Sequence, residues 1–177
     1  MEPNLHKRVR ENMYKNILVA ISHGQNAYDL FQVGLNLALK TGAMLTLSHI
    51  KNLHIVLPDF TTASSTMYNP NPTEIFYYET NDGMKELLEK YKEEALEKGV
   101  HKVDVVITSS STPALAITDV VAEGFECDLI ICGESSRKKR FLKLFGNTAN
   151  EIVKHAKCDV LVVKNKRTNN EEEKQEE

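Results

Sequence analysis

Two stretches of this 177-residue chain carry residue types that could hold an anion. An apolar run, Ile130-Ile131-Cys132, breaks at Gly133 and passes through Glu134, Ser135 and Ser136 into four consecutive cations, Arg137-Lys138-Lys139-Arg140. Nine residues separate Ser136 from Gly146, after which Asn147 and Thr148 open a helical pattern. A strand, a glycine, a cationic loop, a second glycine and a helix start together suit phosphate, because exposed N–H groups and a helix N-terminus both favour negative charge. Cations between the glycines add attraction that salt weakens. The same four charges also suit a solvated surface loop, and both glycines suit plain turns. Thr148-Ala149-Asn150-Glu151 equally reads as a capping box that needs no ligand.

Other chemistry is sparse. The turn Ser22-His23-Gly24 follows the first apolar run, and His23 is the one histidine placed near a presumed crevice, where an exposed turn histidine is the plainer reading. His49 falls inside an apolar strand pattern and reads as a satisfied core residue. His54, His101 and His155 lack partners at metal-ligand spacing. The chain has no G-x-S-x-G elbow, no lysine of the phosphate-loop type after Gly146 and no G-x-G-x-x-G after its first strand. Asp29 could face a crevice, but no paired carboxylate suits acid–base work. These absences predict a binding protein rather than a dedicated enzyme.

The elements that must position these residues follow from hydrophobic periodicity. Residues 1 to 14 are polar and read as a flexible N-terminal arm. Lys15 to Ile21 is a continuous apolar run, the pattern of a strand covered on both faces. A helix is predicted over Asn26–Lys40 and ended by Gly42, followed by a strand from Met44 to Ile50. Residues 53–82 lose all periodicity. They read as a long variable loop carrying Phe76, Tyr77 and Tyr78, which suit packing on the protein's own surface or on a second subunit. Further on, the pattern predicts a helix over Met84–Lys98 closed by Gly99 and a strand over Val103–Thr108. A helix then runs from an N-cap at Thr112 to Gly124, followed by a strand over Asp128–Cys132, a helix over Asn147–Ala156 and a strand over Val160–Val163. Asn165 to Glu177 holds no apolar residue and reads as a disordered acidic tail.

Strands alternating with helices throughout predict an α/β fold, an open doubly wound sheet of five parallel strands with helices on both faces. Ligands of such sheets bind beyond the carboxyl ends of the strands where strand order reverses. If the first and fourth strands flank that point, Ser22-His23-Gly24 and the loop after Cys132 share one crevice.

Composition narrows the partners. A net charge of −3 argues against a dedicated nucleic-acid binder, and no apolar run approaches the ~20 residues of a membrane span. The first residues lack the apolar stretch of a secretory signal. Cys127, Cys132 and Cys158 show no C-x-x-C spacing and read as buried thiols of a reducing, cytoplasmic protein.

Gly133-x2-Ser136-x9-Gly146-Asn147 resembles the phosphate loop of the universal stress protein family, whose nucleotide-binding members carry Gly-x2-Gly-x9-Gly followed by Ser or Thr. The resemblance runs from about Asn16 to Lys164. It includes Asn16-Ile17-Leu18-Val19-Ala20, Leu47-Ser48-His49-Ile50, Pro113-Ala114 and Cys158-Asp159-Val160-Leu161-Val162-Val163. It implies a Rossmann-like domain over 15–164 of the adenine nucleotide alpha hydrolase type, a stress-response role and binding of ATP or AMP, with Mg accompanying ATP. The implied binding positions are Ala20, Ile21, Ser22, Ile50, Cys132, Gly133, Ser136, Arg137, Gly146, Asn147 and Thr148. It also implies a homodimer formed by pairing the last strands, through Val160, Leu161, Val162 and Val163. Some members of the family bind no nucleotide and act as interaction modules, which is the alternative reading. Three positions depart from the binding pattern. Ser22 stands where binders place an aspartate on the ribose, at a cost of about 1 kcal/mol or more. Ser136 replaces a glycine, which costs roughly 1–2 kcal/mol if φ is positive there. Asn147 replaces the hydroxyl residue, although Thr148 follows it.

Overall fold

The structure is a computed structural model that describes residues 13–23, 26–52, 83–134 and 148–164. Most of the predicted arm, the 53–82 loop, the basic loop at 137–140 and the acidic tail lie outside the described residues. The elements are β1 (Asn16–Ala20), α1 (Ala27–Thr41), β2 (Met44–Asn52), α2 (Met84–Glu97), β3 (Val103–Ser110), α3 (Pro113–Leu115, continuing over Ala116–Ala122), β4 (Leu129–Gly133), α4 (Thr148–His155) and β5 (Asp159–Val163). The five strands form one sheet in the order β3-β2-β1-β4-β5, and every neighbouring pair is parallel. The doubly wound sheet expected from the sequence is therefore the one found, with β1 in the middle.

The uninterrupted apolar run of β1 is explained by its two-sided burial. Ile17, Val19 and Ile21 point into one core with α1 and α2, where Phe31, Leu35 and Leu88 meet them. Leu18 points into the other core with α3 and α4, among Ile117, Val121, Ile130 and Ile152. Ile17, Leu18 and Val19 are wholly inaccessible, and a fully buried side chain of this size contributes about 1.5–3 kcal/mol. Phe31 stacks on Tyr91 at 4.4 Å and thereby ties α1 to α2.

Helix ends follow local chemistry. Gly42 takes the left-handed conformation at φ 72° and donates its N–H to Ala38 O at 2.8 Å, while Ala43 N–H reaches the same carbonyl at 3.1 Å, so α1 stops where a glycine permits it. Glu94 and Lys98, one turn apart at the end of α2, pair at 2.7 Å.

Two expectations are corrected. Thr112 makes no side-chain cap: its own N–H donates to Ser110 Oγ at 3.0 Å, and its hydroxyl lies 3.4 Å from that same oxygen. Its oxygen is thus engaged by the preceding turn instead of by the N–H groups that follow. The helix after it reaches Gly124 as predicted, but it widens from α over Pro113–Leu115 to a π-helix over Ala116–Ala122 before closing as α over 123–124. No described helix is long and apolar enough to cross a membrane.

Candidate functional site

Strand order reverses between β1 and β4: from β1 the chain winds outward to β2 and β3, then crosses to β4 and β5. Loops leaving the carboxyl ends of β1 and β4 diverge at such a point and leave a crevice between them. The register places Ala20 beside Cys132 on one side and beside Ser48 on the other. Ala20, Ile21 and Ser22 therefore end β1 next to Cys132 and Gly133, with Ile50 farther along β2.

Side chains at these positions play different parts. Ile21 is buried, and its N–H donates to Ser48 O at 2.8 Å, which extends the pairing of β1 and β2 past the end of β1. Ser22 and His23 are then the first exposed residues. Cys132 is buried in the second core, and burial pushes its thiol up to about 11. Cys127 is pushed up to about 12, chiefly by burial and then by Cys158 nearby. Both thiols stay protonated at neutral pH and are poor nucleophiles. Thr148 is exposed at the start of α4, with Ala149 and Ile152 buried behind it. Ser136, Arg137, Gly146 and Asn147 lie outside the described residues.

Gly133 owes its lack of a side chain to α1. A Cβ built there would stand 3.3 Å from Asn26 Nδ2 and 3.8 Å from Leu30 Cδ2. The amino end of α1 thus rests against the last residue of β4, and the Asn26 amide, which makes no cap hydrogen bond, lies on that glycine. The sequence placed Asn26 only at the start of a helix. Its contact with Gly133 joins distant segments and has no local signal.

Histidines supply the other feature of the crevice. His49 is 5% exposed, and its Nδ1 lies 2.9 Å from Ile21 O. A carbonyl only accepts, so Nδ1 carries the proton. The His23 ring meets that of His49 edge-on, with centroids 5.0 Å apart and planes at 76°. Asp29 is exposed in the first turn of α1. A cavity of about 430 Å³ lies away from this crevice, between Gly83 and Lys85 at the start of α2 and Val105 and Ile107 on the edge strand β3. Among the described residues it touches none of those predicted to bind nucleotide, and the strand-order reversal, not that cavity, marks the candidate site.

At the far edge of the sheet, β5 pairs only with β4 among the described strands, and Glu134 N–H donates to Val163 O just past the end of β4. Leu161 and Val162 are 40% and 37% exposed, while Val160 and Val163 are half-buried.

A family model described as the universal stress protein family matches residues 13–164. A relative named as a universal stress protein in Staphylococcus haemolyticus is 32% identical over 151 residues, 85% of either chain. Among solved structures, a universal stress protein in complex with cAMP has a TM-score of 0.61 at 14% identity, over 85% of this chain and 97% of that one. The universal stress protein of Archaeoglobus fulgidus in complex with dAMP has a TM-score of 0.52 at 16% identity, over 84% and 97%. At these identities the structural likeness is one of fold.

Proposed function

The chain belongs to the universal stress protein family, and from that premise we propose that it binds an adenine nucleotide, ATP or AMP, in the crevice between β1 and β4. The observation that carries this reading is the reversal of strand order at that place, which sets the end of β1, where the turn at Ser22 begins, beside the end of β4 at Cys132 and Gly133. Two proteins of this fold are solved with cAMP and dAMP, which supports the choice of an adenine ligand. In this reading Ala20, Ile21 and Ser22 line the ribose side, Ile50 the base side, and Gly133 with Thr148 the phosphate side. Ser136, Arg137, Gly146 and Asn147 complete the phosphate loop. Any Mg²⁺ would enter on the triphosphate, whose oxygens suit that hard cation. The role is regulatory binding in the cytoplasm during stress, not turnover.

Isothermal titration tests the proposal. Saturable heat with ATP or AMP, weakening as salt rises because cations meet phosphate, is the expected result. Flat titrations at millimolar nucleotide and low salt would overturn it. Ser22 favours the second reading, an interaction module without nucleotide, because an exposed hydroxyl offers less to a ribose than a carboxylate.

We further propose that two copies pair through β5. An apolar edge strand is normally covered, and Leu161 and Val162 are exposed on this one. Sedimentation at micromolar concentration should give a dimer, and Leu161→Glu should shift it to monomer. A monomeric wild type would remove the proposal.

A further inference from the structure

We propose that His23 is the side chain on which the nucleobase stacks, an inference that rests on the nucleotide reading above. Sheet order decides which end of the ligand lies where. Gly133 and the start of α4 stand on the β4 side of β1, whereas His49 belongs to β2, on the opposite side. A nucleotide whose phosphates lie toward β4 and α4 therefore carries its base across the end of β1 toward β2. There it meets His23, which is exposed and leans on His49.

The two rings are arranged for this task. Burying an imidazole to 5% exposure is costly unless it is hydrogen-bonded, and the Ile21 carbonyl at 2.9 Å supplies the bond. That bond fixes His49 just beneath the turn, and His49 in turn gives His23 an aromatic support at 5.0 Å. A ring already held in place loses little freedom when a ligand arrives. Stacking on a flat ring tolerates any base, because every base has a π-face. The prediction is thus affinity for the base, with choice among bases set by other contacts.

The test compares wild type, His23→Ala and His23→Phe by titration with AMP and, by competition against AMP, with ribose 5-phosphate. Stacking predicts that His23→Ala weakens AMP about tenfold, that His23→Phe keeps AMP affinity, and that ribose 5-phosphate binds all three proteins alike. AMP affinity unchanged in His23→Ala would overturn the stacking role while leaving the nucleotide reading intact. Equal losses of AMP and ribose 5-phosphate in both variants would assign His23 to the phosphate or to the shape of the turn, and would also overturn it. A wild type that binds no AMP would remove the nucleotide reading and this inference together. His23 touches buried His49, so unfolding midpoints equal to wild type in both variants must accompany the titrations.

Discussion

Gly34→Ala is expected to destabilise the protein by about 2 kcal/mol, although alanine is the better helix former. Gly34 lies inside α1 with no turn to make. Its role is to let the helix approach the sheet: a Cβ at this position would run into Val19 Cγ2 and stand 3.5 Å from Leu45 Cδ1. Val19 is wholly inaccessible, and as a β-branched residue on a central strand it has no easy rotamer to retreat into. The helix must therefore lift from the sheet or the strand must bend. Overpacking of this kind costs roughly 3 kcal/mol, against a helix-propensity gain of about 1 kcal/mol. Urea unfolding should show a lower midpoint at unchanged slope. In a Val19→Ala background the same substitution should cost at least about 1 kcal/mol less, because the two sites are in contact. A neutral or stabilising Gly34→Ala would show that α1 does not sit as close to β1 as described. The consequence reaches the crevice, since the amino end of this helix rests on Gly133 through Asn26 and Leu30. Nucleotide affinity should fall together with stability.

How much of this was legible in the sequence depends on how local the cause is. The two-sided burial of β1 shows as an unbroken apolar run, and Gly42 marks the end of α1 by its conformational freedom alone. Strand ends were harder to see. β2 and β3 each run two residues past the predicted ends, pairing Lys51 with Ser109 and Asn52 with Ser110. Polar side chains there ended the hydrophobic pattern, whereas backbone pairing does not require one. The widening of α3 was also hidden, because apolar spacing alone does not separate an α from a π turn over so few residues. At the site, a topology rule alone sets the end of β1 beside the end of β4, as the register has it at Ala20 and Cys132. The Asn26 amide on Gly133 and the ring of His23 on His49 could not be read, because each joins residues whose separation in sequence carries no periodic signal.

Asp128 is the clearest case of a long-range cause, and Asp128→Ala should cost about 2 kcal/mol. The sequence marks it only as the first residue of a strand. In the structure its carboxylate accepts the backbone N–H of Lys15 at 2.7 Å and that of Asn16 at 3.2 Å, while its own N–H donates to Asn16 O at 3.0 Å. The Asn16 amide returns the contact by donating to Phe125 O and Glu126 O at 3.2 and 3.1 Å. This clamp joins the amino ends of β1 and β4. Alanine would leave two donors facing an empty place, of which the one on half-buried Asn16 is the harder for water to reach. Asparagine should cost less, about 1 kcal/mol, since its carbonyl still accepts one of the two bonds. Hydrogen exchange gives a local reading: the Lys15 and Asn16 amides should lose protection in Asp128→Ala while those of α1 keep theirs. A midpoint within about 0.5 kcal/mol of wild type would mean the clamp contributes nothing net. This clamp lies at the end of the sheet opposite the crevice, so the folded variant should bind AMP as wild type does. Gly34→Ala should not. The pair thus separates what holds the sheet together from what shapes the end where we propose a nucleotide binds.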